Sequence, residues 1–131
     1  MSKKAQTKDL RILIVDDSAA TRSFVISILE SIDGCSVTAT ANGFEALKVL
    51  PRGDFDLIIT DINMPDINGL ELINYVKKMP SYKDVPLFII STEGAERDRT
   101  KGLSLGADEY LVKPFSPDSL ETLVRKHLFK E

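Results

Sequence analysis

Five short runs of almost uninterrupted apolar residues punctuate the chain, and a segment of helical period follows each of them. The runs are Arg11-Ile12-Leu13-Ile14-Val15, Ser36-Val37-Thr38-Ala39, Phe55-Asp56-Leu57-Ile58-Ile59-Thr60, Leu87-Phe88-Ile89-Ile90 and Glu109-Tyr110-Leu111-Val112. Each is too short for a helix, and four lack the in-out alternation of a half-exposed strand, so they suit strands covered on both faces. Strands separated by helical segments need crossover connections, which restricts the chain to an α/β domain with a parallel sheet. The second run is the most polar and is expected at a sheet edge.

The helical segments are expected near 19–31, 44–50, 70–78, 96–105 and 117–129. The last is the best marked: Ser116 is a natural N-cap, Pro117 fits the first helical position, and Leu120, Leu123, Val124 and Leu128 fall on one face. In the first, Phe24, Ile28 and Leu29 have similar spacing, and Gly106 suits the cap that ends the fourth. The fourth is almost wholly polar from Glu96 to Lys101 and contains Gly102, at a cost of about 1 kcal/mol relative to alanine. It is therefore expected to be the least firmly held helix and a candidate moving part.

A chain of 131 residues, 43% hydrophobic, fits one domain with a core of its own. Residues 1–9 are polar and aperiodic, so a flexible N-terminal segment followed by one domain over 10–131 is expected. A net charge of −3 without a basic run disfavours nucleic acid as a partner, and no apolar stretch is long enough to span a membrane. Cys35 is the only cysteine, so no internal disulfide forms, in keeping with a reducing cytoplasmic setting. Cys35 reads as a small, half-buried residue, and His127 as a solvent-facing or partly packed side chain on the last helix.

Chemistry concentrates where the apolar runs stop. Asp16 and Asp17 follow Val15, Asp61 follows Thr60, Ser91 follows Ile90 and Lys113 follows Val112. Open α/β sheets bind ligands outside the carboxyl ends of their strands, near the point where strand order reverses, so these groups are expected to share one crevice. Three carboxylates brought together repel one another until a proton or a cation relieves them. Oxygen donors with room for water and a phosphate oxygen suit Mg²⁺. A carboxylate attacks phosphorus to give an acyl phosphate, and the rest of the chemistry is positioning and charge neutralisation, here by the Lys113 ammonium and the Ser91 hydroxyl.

These residues closely resemble the receiver domain of bacterial two-component response regulators, above all the small stand-alone type exemplified by the chemotaxis regulator CheY. The resemblance runs from about Arg11 to Leu128. It rests on the pair Asp16-Asp17, on Asp61, Ser91 and Lys113 at their mutual intervals, on Asn63-Met64-Pro65-Asp66-Ile67-Asn68-Gly69, and on Lys113-Pro114-Phe115. It implies a flavodoxin-like, doubly wound (βα)₅ fold with strand order 2-1-3-4-5. By it, Asp61 is the phosphoacceptor; Asp17, Asp61 and the backbone carbonyl of Asn63 hold Mg²⁺, and Asp16 acts mainly through a coordinated water. Ser91 and Tyr110 form the switch pair, and the Lys113–Pro114 bond is cis. Asn63 and Glu93 occupy positions that influence attack by water. Thr92 departs from the usual Ala or Gly and is expected to narrow access to the phosphoryl group, slowing its loss or weakening the fit of small phosphodonors.

The implied partners are a histidine kinase or histidine phosphotransfer protein as donor and an output protein. With no effector domain after Glu131, output is expected through non-covalent contact, on the face of the fourth helix, fifth strand and fifth helix. The chain is expected to be a monomer, with dimerisation linked to phosphorylation left open. Two rival readings stand beside this one. A Mg²⁺-dependent phosphatase or phosphotransferase of the haloacid-dehalogenase type carries a second Asp two residues after the nucleophile, where this chain has Asn63, and no cap insertion encloses a substrate. A phosphate-independent interaction module has no use for intact acidic, hydroxyl and lysine positions. P-loop and dinucleotide motifs are absent after the first strand.

Overall fold

The computed structural model describes residues 9–92 and 96–129. In chain order its elements are β1 (Leu10–Val15), α1 (Ala19–Glu30), β2 (Cys35–Thr40), α2 (Gly43–Gly53), β3 (Leu57–Asp61), α3 (Gly69–Lys78), β4 (Leu87–Ser91), α4 (Glu96–Leu105), β5 (Glu109–Val112) and α5 (Pro117–Leu128). The strands form one parallel sheet in the order β2-β1-β3-β4-β5, with the polar β2 at an edge as its composition requires. The parallel α/β sheet expected from the alternating pattern is present, with the flavodoxin-like strand order that the resemblance implies.

Both sheet faces are covered. On one, Ile12, Ile14, Leu57, Ile59, Phe88 and Ile90 pack against Val25, Ile28 and Leu29 of α1 and Leu120 and Val124 of α5. On the other, Leu13, Val15, Ile58, Leu87 and Ile89 meet Ala46 and Leu50 of α2 and Leu72, Ile73 and Val76 of α3. β3 and β4 are buried over their full length, which is why their sequences show no alternation.

The helix ends follow local chemistry. The Ser18, Asn42, Asn68 and Ser116 side chains each accept from an amide of the first turn of α1, α2, α3 and α5, and Asn68 with Glu71 completes a capping box. Gly106, just past α4, takes φ 121°, a conformation that glycine adopts without strain.

Some local expectations are corrected. Helix α2 does not stop before Pro51 but continues to Gly53, where Asp54 closes it in the left-handed region at φ 47°. The buried Tyr82 hydroxyl secures this turn by donating to the Leu50 carbonyl and accepting from the Phe55 amide. Phe24 is 39% exposed, and Val25 takes the core position beside Ile28 and Leu29. Gly102 is more than a weak helix residue, because a β-carbon there would come within 2.3 Å of the Ile89 Cδ1; the glycine lets α4 lie close to the sheet. Cys35 is half-buried, and loss of solvation raises its thiol pKa, which fits an unreactive residue. The His127 ring is partly packed, with Nε2 2.8 Å from Glu109 Oε2 and its edge against Phe88. Among the described residues no helix is long and apolar enough to cross a membrane.

Tyr82→Phe removes the donor to the Leu50 carbonyl without emptying the core. It is expected to cost roughly 1–3 kcal/mol, because a buried carbonyl loses its partner. Urea unfolding followed by circular dichroism measures this, and the midpoint should fall with little change in slope.

Candidate functional site

Strand order and register assemble the site. β1 has β2 on one side and β3 on the other, so the connections leave it in opposite directions and open a crevice at the strand carboxyl ends. Val15 pairs with Thr60, which sets Asp16 level with Asp61, and Ser91 pairs with Val112, directly before Lys113. The residues that follow the apolar runs thus meet at one rim.

Asp16 is fully buried, Asp61 is 6% exposed and Ser91 is fully buried, whereas Asp17 lies exposed at the mouth. One carboxylate oxygen from each of Asp16, Asp17 and Asp61 lies within 4.8 Å of the others. Lys113 Nζ donates to Asp16 Oδ2 at 2.9 Å and stands 3.8 Å from Asp61 Oδ2. Asp16 Oδ1 accepts from the Ser18 amide at 2.8 Å, and Asp61 Oδ1 from the Ile62 amide at 2.8 Å. Asp61 Oδ2 therefore lies just beyond hydrogen-bonding reach of the lysine.

Burial raises the Asp61 pKa above the ordinary carboxylate value, and the neighbouring Asp16 charge adds to the effect. Lys113 and the amides of Ile62 and Asn63 oppose it without cancelling it. The acidic group is thus held with more negative charge than its protein partners neutralise. An all-oxygen donor set with one exposed member fits a hard, partly hydrated divalent cation such as Mg²⁺.

The loop after Asp61 is fixed by a close approach that the sequence pattern did not signal. A β-carbon at Gly69 would come within 2.1 Å of the Asp61 carbonyl oxygen, and the Gly69 amide donates to the Ile62 carbonyl at 2.8 Å. Farther along this loop, Asp66 accepts from the amides of Gly43 and Phe44 and so ties it to the start of α2. Asn63 is exposed beside the mouth. The Lys113–Pro114 bond is cis. Thr92 is exposed and, with Ala20, Thr21, Phe24, Lys113, Pro114 and Phe115, lines a cavity of about 360 Å³ next to the acidic group. Tyr110 is half-buried on β5, opposite Ile89, and packs against the core on the α2 and α3 side. Glu93 lies outside the described residues.

With this geometry in place, comparison with known proteins is informative. The family model described as the response regulator receiver domain matches residues 12–125, and the chain belongs to that family. It is 35% identical over 113 residues to the chemotaxis protein CheY homolog of Campylobacter jejuni, covering 86% of this chain and 87% of that one. It is 30% identical over 123 residues to protein PilG of Pseudomonas aeruginosa, covering 94% and 90%. The high-resolution structure of chemotaxis response regulator CheY4 of Vibrio cholerae superposes with a TM-score of 0.85 at 35% identity, over 92% of this chain and 100% of that one. Receiver domains are phosphoacceptor switches, and this chain is a regulator in phosphorelay signal transduction.

The raised pKa of Asp61 has a consequence for stability. A carboxyl whose folded pKa lies above its unfolded value stabilises the fold while protonated and loses that contribution as pH rises from about 4 through the folded pKa. Without metal, Asp61→Asn is therefore expected to raise the melting midpoint at pH 7 by a few degrees, and the gain should vanish below about pH 4. Melting curves of both proteins in chelator across this range check it.

Proposed function

We propose that the chain is a single-domain response regulator in which Asp61 takes the phosphoryl group of a phosphohistidine donor and holds it as a reversible signal. The observation that carries this reading is the buried Asp61 carboxylate, with Oδ2 facing Lys113 Nζ at 3.8 Å and the Asp16 and Asp17 oxygens within 4.8 Å. Asp61 Oδ2 attacks phosphorus in line, the P–N bond to the donor imidazole breaks, and its electron pair remains on the departing ring nitrogen, leaving an acyl phosphate. Asp16, Asp17, Asp61 and the backbone carbonyl of Asn63 would hold Mg²⁺, which when bound neutralises charge on the transferring group. Lys113 supplies the second positive charge. Its partner before transfer is Asp16, 2.9 Å away, and a phosphoryl group on Asp61 offers it a stronger one.

Readout runs through β4 and β5. The Ser91 hydroxyl moves toward the phosphoryl oxygens, and the half-buried Tyr110 ring turns inward behind it. This changes the face made by α4, β5 and α5, where an output protein docks; chemotaxis is the setting that the name of the Campylobacter relative suggests, and another motility system is the alternative. The proposed donor is a histidine kinase or histidine phosphotransfer protein. The proposed location is the cytoplasm, the proposed resting state is a monomer, and the only catalysis proposed is the chain's part in its own phosphotransfer and dephosphorylation. Asn63, Thr92 and Glu93 set the access of water. Thr92 at the cavity mouth slows loss of the phosphoryl group. Residues 10–131 form the receiver unit.

Incubation with acetyl phosphate and Mg²⁺, followed by intact mass measurement, is expected to show one phosphoryl adduct on the wild type and none on Asp61→Asn. An adduct that persists in Asp61→Asn contradicts the assignment. In the same assay Thr92→Ala should lose its adduct faster than the wild type after the donor is removed.

A further inference from the structure

Asp16 is fastened at four points. Its amide donates to the Thr40 carbonyl at 3.1 Å, Oδ1 accepts from the Ser18 amide, Oδ2 accepts from Lys113, and its backbone carbonyl accepts from Arg22 Nη1 at 2.7 Å. The first three belong to the sheet, the helix start and the charged site. The fourth comes from a long side chain on α1 that curls back over the beginning of its own helix.

That placement does little for the helix. Arg22 lies four residues into α1, and no acidic residue occupies the first turn to offset it. A cation near a helix N-terminus opposes the macrodipole. The residue is half-buried and its bond to Asp16 partly so, which adds a desolvation cost. Its gain is the carbonyl of the Asp16-Asp17 peptide, the unit that joins the buried carboxylate to the exposed one. Of the three clustered carboxylates, Asp17 alone lies at the mouth, so its aim depends on how this peptide is turned. Lys113 and the Ser18 amide both bond the Asp16 carboxylate, whereas Arg22 bonds the peptide carbonyl.

We propose that Arg22 is a positioning residue for the metal-binding pair: by holding the Asp16 carbonyl it fixes the Asp16-Asp17 peptide plane and presents the Asp17 carboxylate beside Asp61. The inference rests on the reading of the acidic group as a Mg²⁺ site. Groups that orient metal ligands from behind typically change metal affinity by about 10- to 100-fold when removed. Lysine at this position keeps a charged donor on a shorter, less directional head, and methionine keeps only the apolar stem.

The test uses the full chain as wild type, Arg22→Met and Arg22→Lys, titrated with MgCl₂ by calorimetry, with Asp17→Asn as the reference for loss of a ligand. A metal-free readout comes from the ¹⁵N–¹H resonance of the Asp17 amide, which belongs to the peptide that Arg22 holds. Arg22→Met is expected to weaken Mg²⁺ binding about tenfold and to shift the Asp17 amide resonance while the resonances of β3 and β4 stay in place; Arg22→Lys should recover most of the affinity. Unchanged affinity in Arg22→Met overturns the proposal. So does a loss of affinity accompanied by shifts throughout the sheet, or a loss that Arg22→Lys shares in full, since either marks general packing. If the wild type itself binds no Mg²⁺, the reading of the site falls and this inference falls with it; a wild type that binds while Arg22→Met binds equally well overturns the inference alone.

Discussion

Three carboxylates held at the edge of a sheet, with one ammonium among them, form the interaction on which the rest depends. Left to themselves, Asp16, Asp17 and Asp61 would move apart or take up protons. β1 and β3, locked side by side through the core with Val15 opposite Thr60, keep Asp16 and Asp61 together. Apolar packing on both faces of the sheet thus sustains an electrostatic arrangement that is unfavourable without added positive charge. The raised pKa of Asp61 is the local sign of that tension.

The surrounding structure prevents the tension from relaxing. Lys113 bonds Asp16 at 2.9 Å and pairs more loosely with Asp61 Oδ2 at 3.8 Å. Gly69 lets the start of α3 lie against the Asp61 carbonyl, and Asp66 ties the intervening loop to α2. A phosphoryl group and its cation would change the charge that all these contacts are arranged around. On β5, Tyr110 lies half-buried against the core on the α2 and α3 side.

Much of this was legible because strand ends are a local signal. The continuous apolar runs of β3 and β4 reported their two-sided burial, and the polar residue after each run reported the crevice. Ser116-Pro117 located the start of α5 for reasons of capping alone. What stayed hidden depends on contacts between distant segments. The second helix was expected only to residue 50, yet it runs through Pro51 to Gly53, and the Tyr82 hydroxyl reaches across from beyond α3 to hold this turn. Gly102 looked like a propensity defect until its closeness to Ile89 was visible. Phe24 has core spacing but sits at the rim, its ring 5.6 Å from that of Phe115, because Val25 already fills the space toward the sheet. Arg22 carried no motif, since its partner is a backbone carbonyl, and any residue type supplies one.

The central claim is that the folded chain holds an acidic group awaiting a divalent cation. Its most direct test is the thermal midpoint at pH 7 measured across a Mg²⁺ titration, with ionic strength matched by NaCl to remove general screening. The wild-type midpoint should rise steadily with the logarithm of Mg²⁺ concentration above the dissociation constant, and that of Asp17→Asn much less. A wild-type midpoint indifferent to Mg²⁺, or a rise of equal size in Asp17→Asn, would contradict it.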